Sequence, residues 1–333
     1  MSQTEVTILR ELLAAHTGLV SGARLAKLLG VSRVAVWMQL QKLTRQGFVF
    51  EAVQSRGYRL IQAPDQLHPA LVQAHLSRAK GTPHLVCLAT VDSTNSEAER
   101  QLAGGSPVPL VILAREQTQG RGRRGRVWHS PAAGNLYCTF VFRPLLGPEH
   151  LQDFTLWMGL NLCELLANFC KIAPRLKWPN DLYVGERKAG GILTEARIDA
   201  DQIRDLIFGL GLNVNGRARD LPRELQATAT SLAEAVGAPV DLHRFAAALI
   251  GRVQLAYGQF IADDYRDKFA ALWKQFDLLG GRTVTVTQGT RQVTGTATGI
   301  DDEGSLLVRL KSGGTERFRA GEVTLSRMDS PAA

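Results

Sequence analysis

The chain has 333 residues, of which 45% are hydrophobic and 21% are charged, and its formal net charge is +8. This length allows two or three domains, and the composition excludes a wholly disordered chain, a collagen-like fibre and a small disulfide scaffold. No apolar run reaches the about 20 residues of a membrane span, and the first residues lack the pattern of a signal peptide. We therefore expect a cytosolic protein that does not enter a membrane.

The N-terminal segment has the pattern of a helix-turn-helix. Between Leu12 and Phe50 it contains five basic residues and no acidic residue, which leaves a surface that does not repel phosphates. Ser21 and Ser32 are suitable N-caps for two successive helices joined through Gly30, which is the spacing of this motif. A predicted β-hairpin follows these helices and would form the wing of a winged helix.

The predicted DNA contacts lie on the second of these helices and at the hairpin tip. Arginine and glutamine can hydrogen-bond to base edges, and apolar side chains can contact the methyl group of thymine. The candidate residues are Ser32, Arg33, Val34, Trp37, Gln41 and Arg56. The alternative is a three-helix interaction module whose basic side is solvated and binds no DNA.

The first polar motif of the central region is Asp92–Glu97, which follows an apolar strand ending at Ala89. Asp92 or Ser93 is predicted to cap a helix that runs through Ala103. The free N–H groups and short polar side chains at such a helix start suit a small polar ligand. The alternative is that this motif is only a helix cap.

A loop rich in glycine and arginine follows a buried strand and is predicted to bind phosphate. Four arginines and three glycines lie within Gln117–Trp128. Glycines allow backbone N–H groups to converge on an anion, and arginines supply paired donors. The loop does not match the Walker pattern. The alternative is a disordered segment that binds nucleic acid.

The third motif is a strand–turn–strand that spans Leu176–Glu195. It contains Lys177, the pair Asn180–Asp181 at a turn, and Lys188 next to two glycines. A lysine beside glycines can approach a ligand closely. The alternatives are ordinary turn chemistry for the pair and a solvated side chain for the lysine.

The C-terminal region alternates between polar and apolar residues after Gly281, as half-buried strands do. Five short strands predict a small SH3-like barrel, which either stabilises the chain or takes part directly in its function. These patterns divide the chain into a winged helix at residues 1–65, an α+β domain at 66–277 and the barrel at 278–330.

The cysteines do not have the spacing of a metal site. They form no C-x-x-C pair, and no histidine lies at ligand spacing from them. We expect buried free thiols in a reducing compartment and no dedicated metal ion. The four residues are Cys87, Cys138, Cys163 and Cys170.

Taken together, the motifs resemble those of biotin–protein ligases in identity and order. The matching segments are Asp92–Asn95, Gln117–Arg126, Lys177–Asp181, Arg187–Lys188 and Gly211–Asn213. With the N-terminal helix-turn-helix, essentially the whole chain is similar to the bifunctional biotin ligases and biotin operon repressors of bacteria. The resemblance implies an α+β fold with a winged helix-turn-helix, a biotin/lipoate-ligase-like catalytic domain with a mixed sheet, and an SH3-like barrel.

The resemblance also implies a two-step reaction. Biotin and ATP, with Mg²⁺ carried on the ATP phosphates, form biotinyl-5′-adenylate and pyrophosphate. Biotin is then transferred to one lysine of the biotin carboxyl carrier protein of acetyl-CoA carboxylase. In relatives the adenylate-bound protein forms a homodimer that binds operator DNA, which makes the adenylate both an intermediate and a corepressor.

The roles of individual residues are carried over by motif. Lys188 and Arg123 are the implied catalytic residues, which stabilise charge that develops at the phosphoryl centre. The implied biotin-binding residues are Ser93, Thr94, Asn95, Gln117, Arg121, Gly122, Arg123 and Lys188. The implied nucleotide-binding residues are Arg121, Arg126, Lys177, Asp181 and Asn213. The segment Val214–Ser231, where the family has a loop over adenine, contains no aromatic residue.

Three other functions compete with this one. Lipoate ligation uses a related fold, although the Gln117–Arg126 loop and the terminal modules favour biotin. A regulator that binds biotin or an adenylate without transferring it would not need Lys188 and the full loop. A ligase whose N-terminal module reads no DNA is the third alternative.

Overall fold

The computed structural model describes residues 2–76, 83–132 and 134–325. Its N-terminal unit consists of α1 (Gln3–Ala14), α2 (Gly22–Leu29), α3 (Arg33–Arg45), β1 (Val49–Val53) and β2 (Gly57–Gln62). The predicted caps form, because Oγ of Ser21 accepts from the N–H of Arg24 at 3.1 Å. Likewise, Oγ of Ser32 accepts from the N–H of Ala35 at 3.1 Å. Gly30, with a φ of 65°, ends α2 in a conformation that favours glycine, so the predicted helix-turn-helix is confirmed.

A small apolar core holds these helices and the hairpin together. It includes Leu9 of α1, Leu25 of α2, Leu40 of α3 and Phe48, each of which is at most 2% exposed. Burying such side chains contributes about 1.5 to 3 kcal/mol each. The opposite face of α3 stays exposed to solvent, which leaves it available to a partner.

A short helix, α4 (Pro69–His75), packs against both the N-terminal unit and the central domain. Leu71 belongs to the N-terminal core, whereas its neighbour Val72 belongs to the central core. Just before α4, the backbone N–H of His68 donates to Nε2 of His243 at 2.9 Å. The six residues between β2 and α4 therefore form a short connection that ends in a packed element joining the two units.

The central domain is built on a mixed sheet, as predicted, and this sheet has seven strands. Its strands are β3 (His84–Val91), β4 (Leu110–Gln117), β5 (Leu136–Phe142), β6 (Pro174–Lys177), β7 (Asp181–Val184), β8 (Arg187–Asp199) and β9 (Gln202–Leu212). They lie in the order β3-β4-β5-β9-β8-β7-β6. β3 and β4 are parallel, and the other neighbouring strands are antiparallel.

α5 (Thr94–Ala103) covers one face of this sheet, and α6 (Leu151–Cys170) covers the other. The domain also contains α7 (Arg223–Gln226), α8 (Leu232–Val236), α9 (Leu242–Ile261) and α10 (Arg266–Phe276). α5 packs on Ile112 of β4, whereas Leu113, which points to the other face, belongs to the core under α6 and α9. In the part of the chain that the structure describes, no helix is long and apolar enough to cross a membrane.

The C-terminal domain is a five-stranded antiparallel sheet, so the five predicted strands are confirmed. The strands are β10 (Thr283–Gln288), β11 (Arg291–Ile300), β12 (Leu306–Leu310), β13 (Thr315–Phe318) and β14 (Glu322–Leu325). Their order is β13-β12-β11-β10-β14. The indole N–H of Trp178 donates to the carbonyl of Gly304 at 3.0 Å, which ties this sheet to the central domain.

The four cysteines are free thiols, as predicted. Cys138 and Cys163 are fully buried in β5 and α6, whereas Cys87 and Cys170 are partly buried. Burial raises the pKa of the Cys87 thiol to about 12. This thiol is therefore protonated at neutral pH and is a poor nucleophile.

A buried carboxyl at the start of α6 makes the stability of the chain depend on pH. Burial raises the pKa of Asp153 to about 6, because the charged form is poorly solvated there. His150 and Arg266 lower this pKa, and Asp301 and Glu303 raise it. The folded chain thus holds a proton that the unfolded chain loses above a pH of about 4. The destabilisation of the fold by the buried carboxylate is consequently largest above pH 6. It is absent when the pH is well below 4.

Replacing Asp153 with asparagine is expected to raise the free energy of unfolding near neutral pH by about 2 kcal/mol. The amide has the same shape and carries no charge that burial could penalise. The gain should shrink as the pH falls through about 6 and vanish below about 4. Urea denaturation of both proteins over this range measures the difference. A gain that does not change with pH would contradict this role for the carboxyl.

Candidate functional site

A cleft of about 470 Å³ opens between the central sheet, the C-terminal sheet and the Gly/Arg loop, defined as residues 120–126. The structure brings together in this cleft all twelve residues predicted to act in catalysis or to bind biotin or nucleotide. They are Ser93, Thr94, Asn95, Gln117, Arg121, Gly122, Arg123, Arg126, Lys177, Asp181, Lys188 and Asn213. Residues 321–325 of the C-terminal domain also line the cleft.

The start of α5 presents small polar groups to the cleft. Ser93 occupies the N-cap position, but its side chain makes no capping hydrogen bond, so that part of the prediction is wrong. Oε1 of Gln117 instead accepts from the backbone N–H of Thr94 at 2.8 Å and from its hydroxyl at 3.1 Å. Asp92 does not cap the helix either, since its carboxylate pairs with Arg100 and accepts from the backbone N–H of Ser93 at 2.7 Å. Ser93 therefore lines the cleft with a hydroxyl that makes no capping hydrogen bond.

Asn95 is buried in the wall of the cleft, and both ends of its amide are held. Its Oδ1 accepts from the hydroxyl of Thr139 at 2.6 Å, and its Nδ2 donates to the carboxylate of Glu195 at 2.7 Å. A Cβ at Gly209 would lie 2.2 Å from Oδ1 of Asn95, so only glycine leaves room for this side chain. The sequence predicts the amide, but neither of its two partners.

The Gly/Arg loop folds back on itself. The N–H of Gly122 donates to the carbonyl of Arg126 at 2.7 Å, and Arg121 forms an isolated β-bridge with Val127. Gly120 is needed for close packing, because a Cβ there would lie 2.2 Å from the carbonyl oxygen of Trp128. The loop therefore has a defined turn, unlike the disordered segment that was the alternative.

The arginines of this loop differ in their partners. Arg121 pairs with a carboxylate of β8, and Arg126 pairs with one at the start of β14. Arg123 instead donates to Oδ1 of Asn180 at 3.1 Å, and no carboxylate of the described residues lies within ion-pair distance of it. Burial lowers the pKa of Arg123, yet a guanidinium stays charged at neutral pH. Arg123 is consequently the arginine of this loop best placed to receive a ligand anion.

Lys188 begins the part of β8 that faces the cleft. Its Nζ lies 2.7 Å from Oδ1 of Asp181 and 5.3 Å from the centroid of the Trp128 ring. Its N–H donates to the carbonyl of Thr228 at 2.7 Å, and its carbonyl accepts from the N–H of Thr230 at 2.9 Å. The backbone of Lys188 is thus held by two hydrogen bonds. Its flexible side chain carries a positive charge that can contact a bound anion as well as Asp181.

The remaining nucleotide candidates lie at the ends of different strands, because Lys177 ends β6 and Asn213 directly follows β9. Nζ of Lys177 is 5.5 Å from the centroid of the Tyr183 ring, and burial lowers the pKa of this lysine. Nδ2 of Asn213 donates to the carbonyl of Thr230 at 3.0 Å, which ties the end of β9 to the following segment. Their contact with nucleotide stays a prediction.

The cleft is also lined by residues that were not predicted as site residues, among them Trp128, Trp178 and Glu322. The ring of Trp128 lies against Gly211, where a Cβ would be 2.3 Å from Nε1. Trp178 contributes a buried wall, and Glu322 pairs with Arg126. Trp128 lies two residues after the end of the Gly/Arg loop, which is a signal that could have found it. Glu322 carries no such signal, because the fold alone brings the C-terminal sheet to the loop.

The six residues predicted to contact DNA are all exposed in the N-terminal unit, and none of them lines the cleft. Arg33, Trp37 and Gln41 share one face of α3 by helical spacing. Met38, which is 60% exposed, lies beside them and was not predicted. No carboxylate of the described residues pairs with Arg33 or Arg56, so their charge is free to meet phosphate.

This arrangement can hold a small polar molecule next to two positive charges. The hydroxyl and amide groups at α5 offer neutral donors and acceptors to an uncharged ring. Arg123 and Lys188 line the same cleft and can bring two anions together, which is what attack of a carboxylate on a phosphate requires.

Comparison with known families matches three segments of the chain. Residues 5–59 match the HTH domain, residues 88–213 match the Biotin/lipoate A/B protein ligase family, and residues 279–326 match the Biotin protein ligase C terminal domain. These three segments correspond in order to the helix-turn-helix unit, the central sheet and the C-terminal sheet.

Individual relatives agree with these matches. The chain is 32% identical to the bifunctional ligase/repressor BirA of Bacillus subtilis, over 88% of this chain and 90% of that protein. It is 30% identical to BirA of Escherichia coli, over 92% of both. A structure of biotin protein ligase from Aquifex aeolicus in complex with biotin and ATP has a TM-score of 0.63 and 30% identity, over 74% of this chain and 100% of that one. The resemblance is confirmed, and the chain belongs to the biotin protein ligase family.

Proposed function

We propose that this chain activates biotin with ATP and transfers it to the biotin carboxyl carrier protein of acetyl-CoA carboxylase. The observation that carries the proposal is the cleft, in which a polar pocket adjoins Arg123 and Lys188. Relatives that are 30 to 32% identical are named as ligases, and a similar structure holds biotin and ATP. Mg²⁺ is proposed to enter on the phosphates of ATP, which is its usual route into such sites.

In the first step, a carboxylate oxygen of biotin attacks the α-phosphorus of ATP, and the bond to pyrophosphate breaks. Ser93, Thr94, Asn95 and Gln117 are proposed to bind the ring of biotin. Two anions approach each other in this step, so positive charge must be in place before reaction. Arg123 and Lys188 are proposed to supply it, with Gly122 letting the backbone approach. The proposed nucleotide contacts are Arg121, Arg126, Lys177, Asp181 and Asn213.

In the second step, the ε-amine of the carrier lysine attacks the acyl carbon of the adenylate. The bond to AMP breaks, the nitrogen loses a proton, and an amide forms. The acyl phosphate bond is also open to attack by water, so the Gly/Arg loop is proposed to cover the adenylate until the carrier arrives.

Mass spectrometry of an apo carrier domain tests the proposal directly. Incubation with the chain, ATP, Mg²⁺ and biotin should add one biotinyl group to the carrier, and omission of ATP should abolish the addition. A parallel incubation with lipoate in place of biotin separates the two ligase activities. Modification by lipoate and not by biotin, or no modification by either, would contradict the proposal.

Binding of operator DNA is a second proposed function, favoured by the exposed basic face of the N-terminal unit. Arg33 on α3 and Arg56 at the tip of the hairpin have no carboxylate partner among the described residues. The hairpin is proposed to be the wing of a winged helix, and α3 is proposed to enter the major groove. Both similar BirA proteins are named repressors as well as ligases.

Replacing Arg33 with alanine is expected to weaken binding to a random-sequence DNA duplex by about tenfold at low salt. The slope of log affinity against log salt should fall in magnitude by about one, because one phosphate contact is lost. Arg309→Ala, which removes an exposed arginine from β12, is the matched control and should change neither quantity. Fluorescence anisotropy at several salt concentrations measures both. An unchanged slope in Arg33→Ala would favour the alternative of an interaction module.

A homodimer of the adenylate-bound chain is proposed on the basis of a free sheet edge. β7 pairs with β8 only from Arg187 to Gly191, so within the described residues the part of β8 beyond Ile192 pairs with a strand on one side alone. Ile198 in this part of the strand is 55% exposed. An unpaired edge that carries an exposed apolar side chain is suited to pair with a second copy.

The domain boundaries are proposed to be residues 1–65, 66–277 and 278–330. The separate N-terminal core supports the first boundary, and the switch from helix α10 to strands supports the second. The C-terminal sheet is proposed to be an SH3-like barrel, which is supported by the pairing of its last strand, β14, with its first, β10. Four free thiols support the proposal that the chain works in the cytosol.

A further inference from the structure

Glu195 of β8 contacts two residues of the cleft without lining the cleft itself. One of its oxygens accepts from Nδ2 of Asn95 at 2.7 Å, and both of its oxygens contact Nη2 of Arg121. Asn95 and Arg121 come from different elements, namely the first turn of α5 and the start of the Gly/Arg loop. One carboxylate therefore joins the wall that is proposed to hold biotin to the loop that is proposed to hold phosphate.

The contact with Asn95 fixes which way its amide points. A carboxylate can only accept, so the atom that faces Glu195 must be the NH₂ group. The hydroxyl of Thr139 donates to the other end at 2.6 Å, and the two contacts agree on one orientation. Without Glu195 the amide could turn over, which would exchange the donor and the acceptor offered to a ligand.

The contact with Arg121 anchors the first arginine of the loop. The same guanidinium donates to Oγ of Ser96 at 3.1 Å and lies 3.7 Å from Oε1 of Glu99. Arg121 also forms the β-bridge with Val127 that closes the turn. A contact that keeps Arg121 in place therefore also stabilises the closed turn. Most of the positive charge of Arg121 is thus balanced by protein carboxylates. Arg123 has no ion-pair partner among the described residues.

We propose that Glu195 is a positioning residue of the ligase site, which sets the amide of Asn95 and the Gly/Arg loop in register with each other. This inference rests on the proposed ligase function, since it assumes that biotin contacts Asn95. An ion pair that is one-third exposed adds little to stability. The main effect of the ion pair is to orient its partners, because a misplaced hydrogen-bond donor lowers ligand affinity in a binding site but has little effect on a surface.

Three variants separate positioning from simple stability. Glu195→Ala removes both contacts, and Glu195→Gln keeps an acceptor for Asn95 but loses the charge that pairs with Arg121. Glu316→Ala is the matched control, because Glu316 is also a strand glutamate that pairs with an arginine, Arg291. The readouts are the Kd of biotin by calorimetry and the rate of tryptic cleavage within the Gly/Arg loop of the ligand-free protein.

Glu195→Ala is expected to raise the Kd of biotin by about tenfold and to speed tryptic cleavage in the loop by a similar factor. Glu195→Gln should speed cleavage as much but leave the Kd within about threefold of the parent value. Glu316→Ala should change neither.

The proposal is overturned if trypsin cleaves Glu195→Gln at the parent rate, or if Glu195→Gln raises the Kd of biotin as much as Glu195→Ala does. It is also overturned if the control variant behaves like Glu195→Ala. Should Glu195→Ala fail to fold, the glutamine variant decides alone. Failure of the ligase function would appear instead as a parent chain that modifies no carrier. The cleavage rates would still test the role of Glu195 in that case.

Discussion

Lys188→Ala is expected to lower the rate of biotinyl-adenylate formation by roughly two to three orders of magnitude. Nζ of Lys188 lies in the cleft at 2.7 Å from Asp181 and above the ring of Trp128, so it is held in place before any ligand arrives. In the proposed first step, its charge faces the carboxylate of biotin and the α-phosphate together. Alanine removes that charge and leaves the carboxylate of Asp181 in the cleft, where it repels both anions.

A single-turnover assay without carrier protein measures this effect, because the adenylate accumulates when no acceptor is present. Lys268→Ala is the matched control, since Lys268 is an exposed lysine of α10 that makes no contact with the cleft. The control should form the adenylate at the parent rate. A Lys188→Ala variant that keeps more than about a third of the parent rate would remove this lysine from the chemistry.

Gly211→Ala is expected to raise the Kd of biotin by about 10- to 100-fold while the chain still folds. A Cβ at Gly211 would lie 2.3 Å from Nε1 of Trp128, which is closer than any real contact. The tryptophan ring must therefore move into the cleft, and it takes with it the aromatic face below Lys188. Overpacking of this kind costs about 1 to 3 kcal/mol, and here the cost falls on the binding site.

The control for this variant is Gly251→Ala, in the middle of α9. A Cβ at Gly251 would have no heavy atom within 4 Å, so alanine should fit and add about 0.5 to 1 kcal/mol of helix stability. Calorimetric titration with biotin and thermal unfolding of both variants give the two quantities. Parent-like biotin affinity in Gly211→Ala would mean that Trp128 does not shape the pocket.

Local sequence patterns predict the parts of this fold that local interactions build. The caps at Ser21 and Ser32 depend on residues three positions away, and the C-terminal strands follow from strict alternation. The predicted cap at Ser93 is wrong for the opposite reason. The backbone N–H of Thr94 at that helix start donates to Gln117, which lies 23 residues away and belongs to β4.

The residues that hold the site residues in place do so through long-range contacts, which no local sequence pattern contains. Glu195 is 100 residues from Asn95, and Glu322 is 196 residues from Arg126. Only the order of the strands brings these pairs together. A partial signal was present in Gly209 and Gly211, which alternate along β9 and so lie on the same face of the sheet. Both leave room for side chains of the cleft, since each would clash if it carried a Cβ.

The position of α4 suggests how events in the cleft and at the DNA-binding face can be linked. This helix contributes to the core of the N-terminal unit and to that of the central domain. A ligand changes DNA affinity only if it binds one arrangement of these units more tightly than another. The packing at α4 limits such arrangements more than a free linker would.

Biotin-dependent exchange of labelled pyrophosphate into ATP is the measurement that tests the proposed chemistry most directly. The exchange requires a bound carboxylate, a bound nucleotide and reversible formation of an adenylate, and it needs neither carrier protein nor DNA. We predict exchange that requires biotin, is not supported by lipoate and is lost in Lys188→Ala. Exchange that proceeds without biotin, or no exchange while biotin and ATP both bind, would contradict the assignment of this cleft as the site of biotin activation.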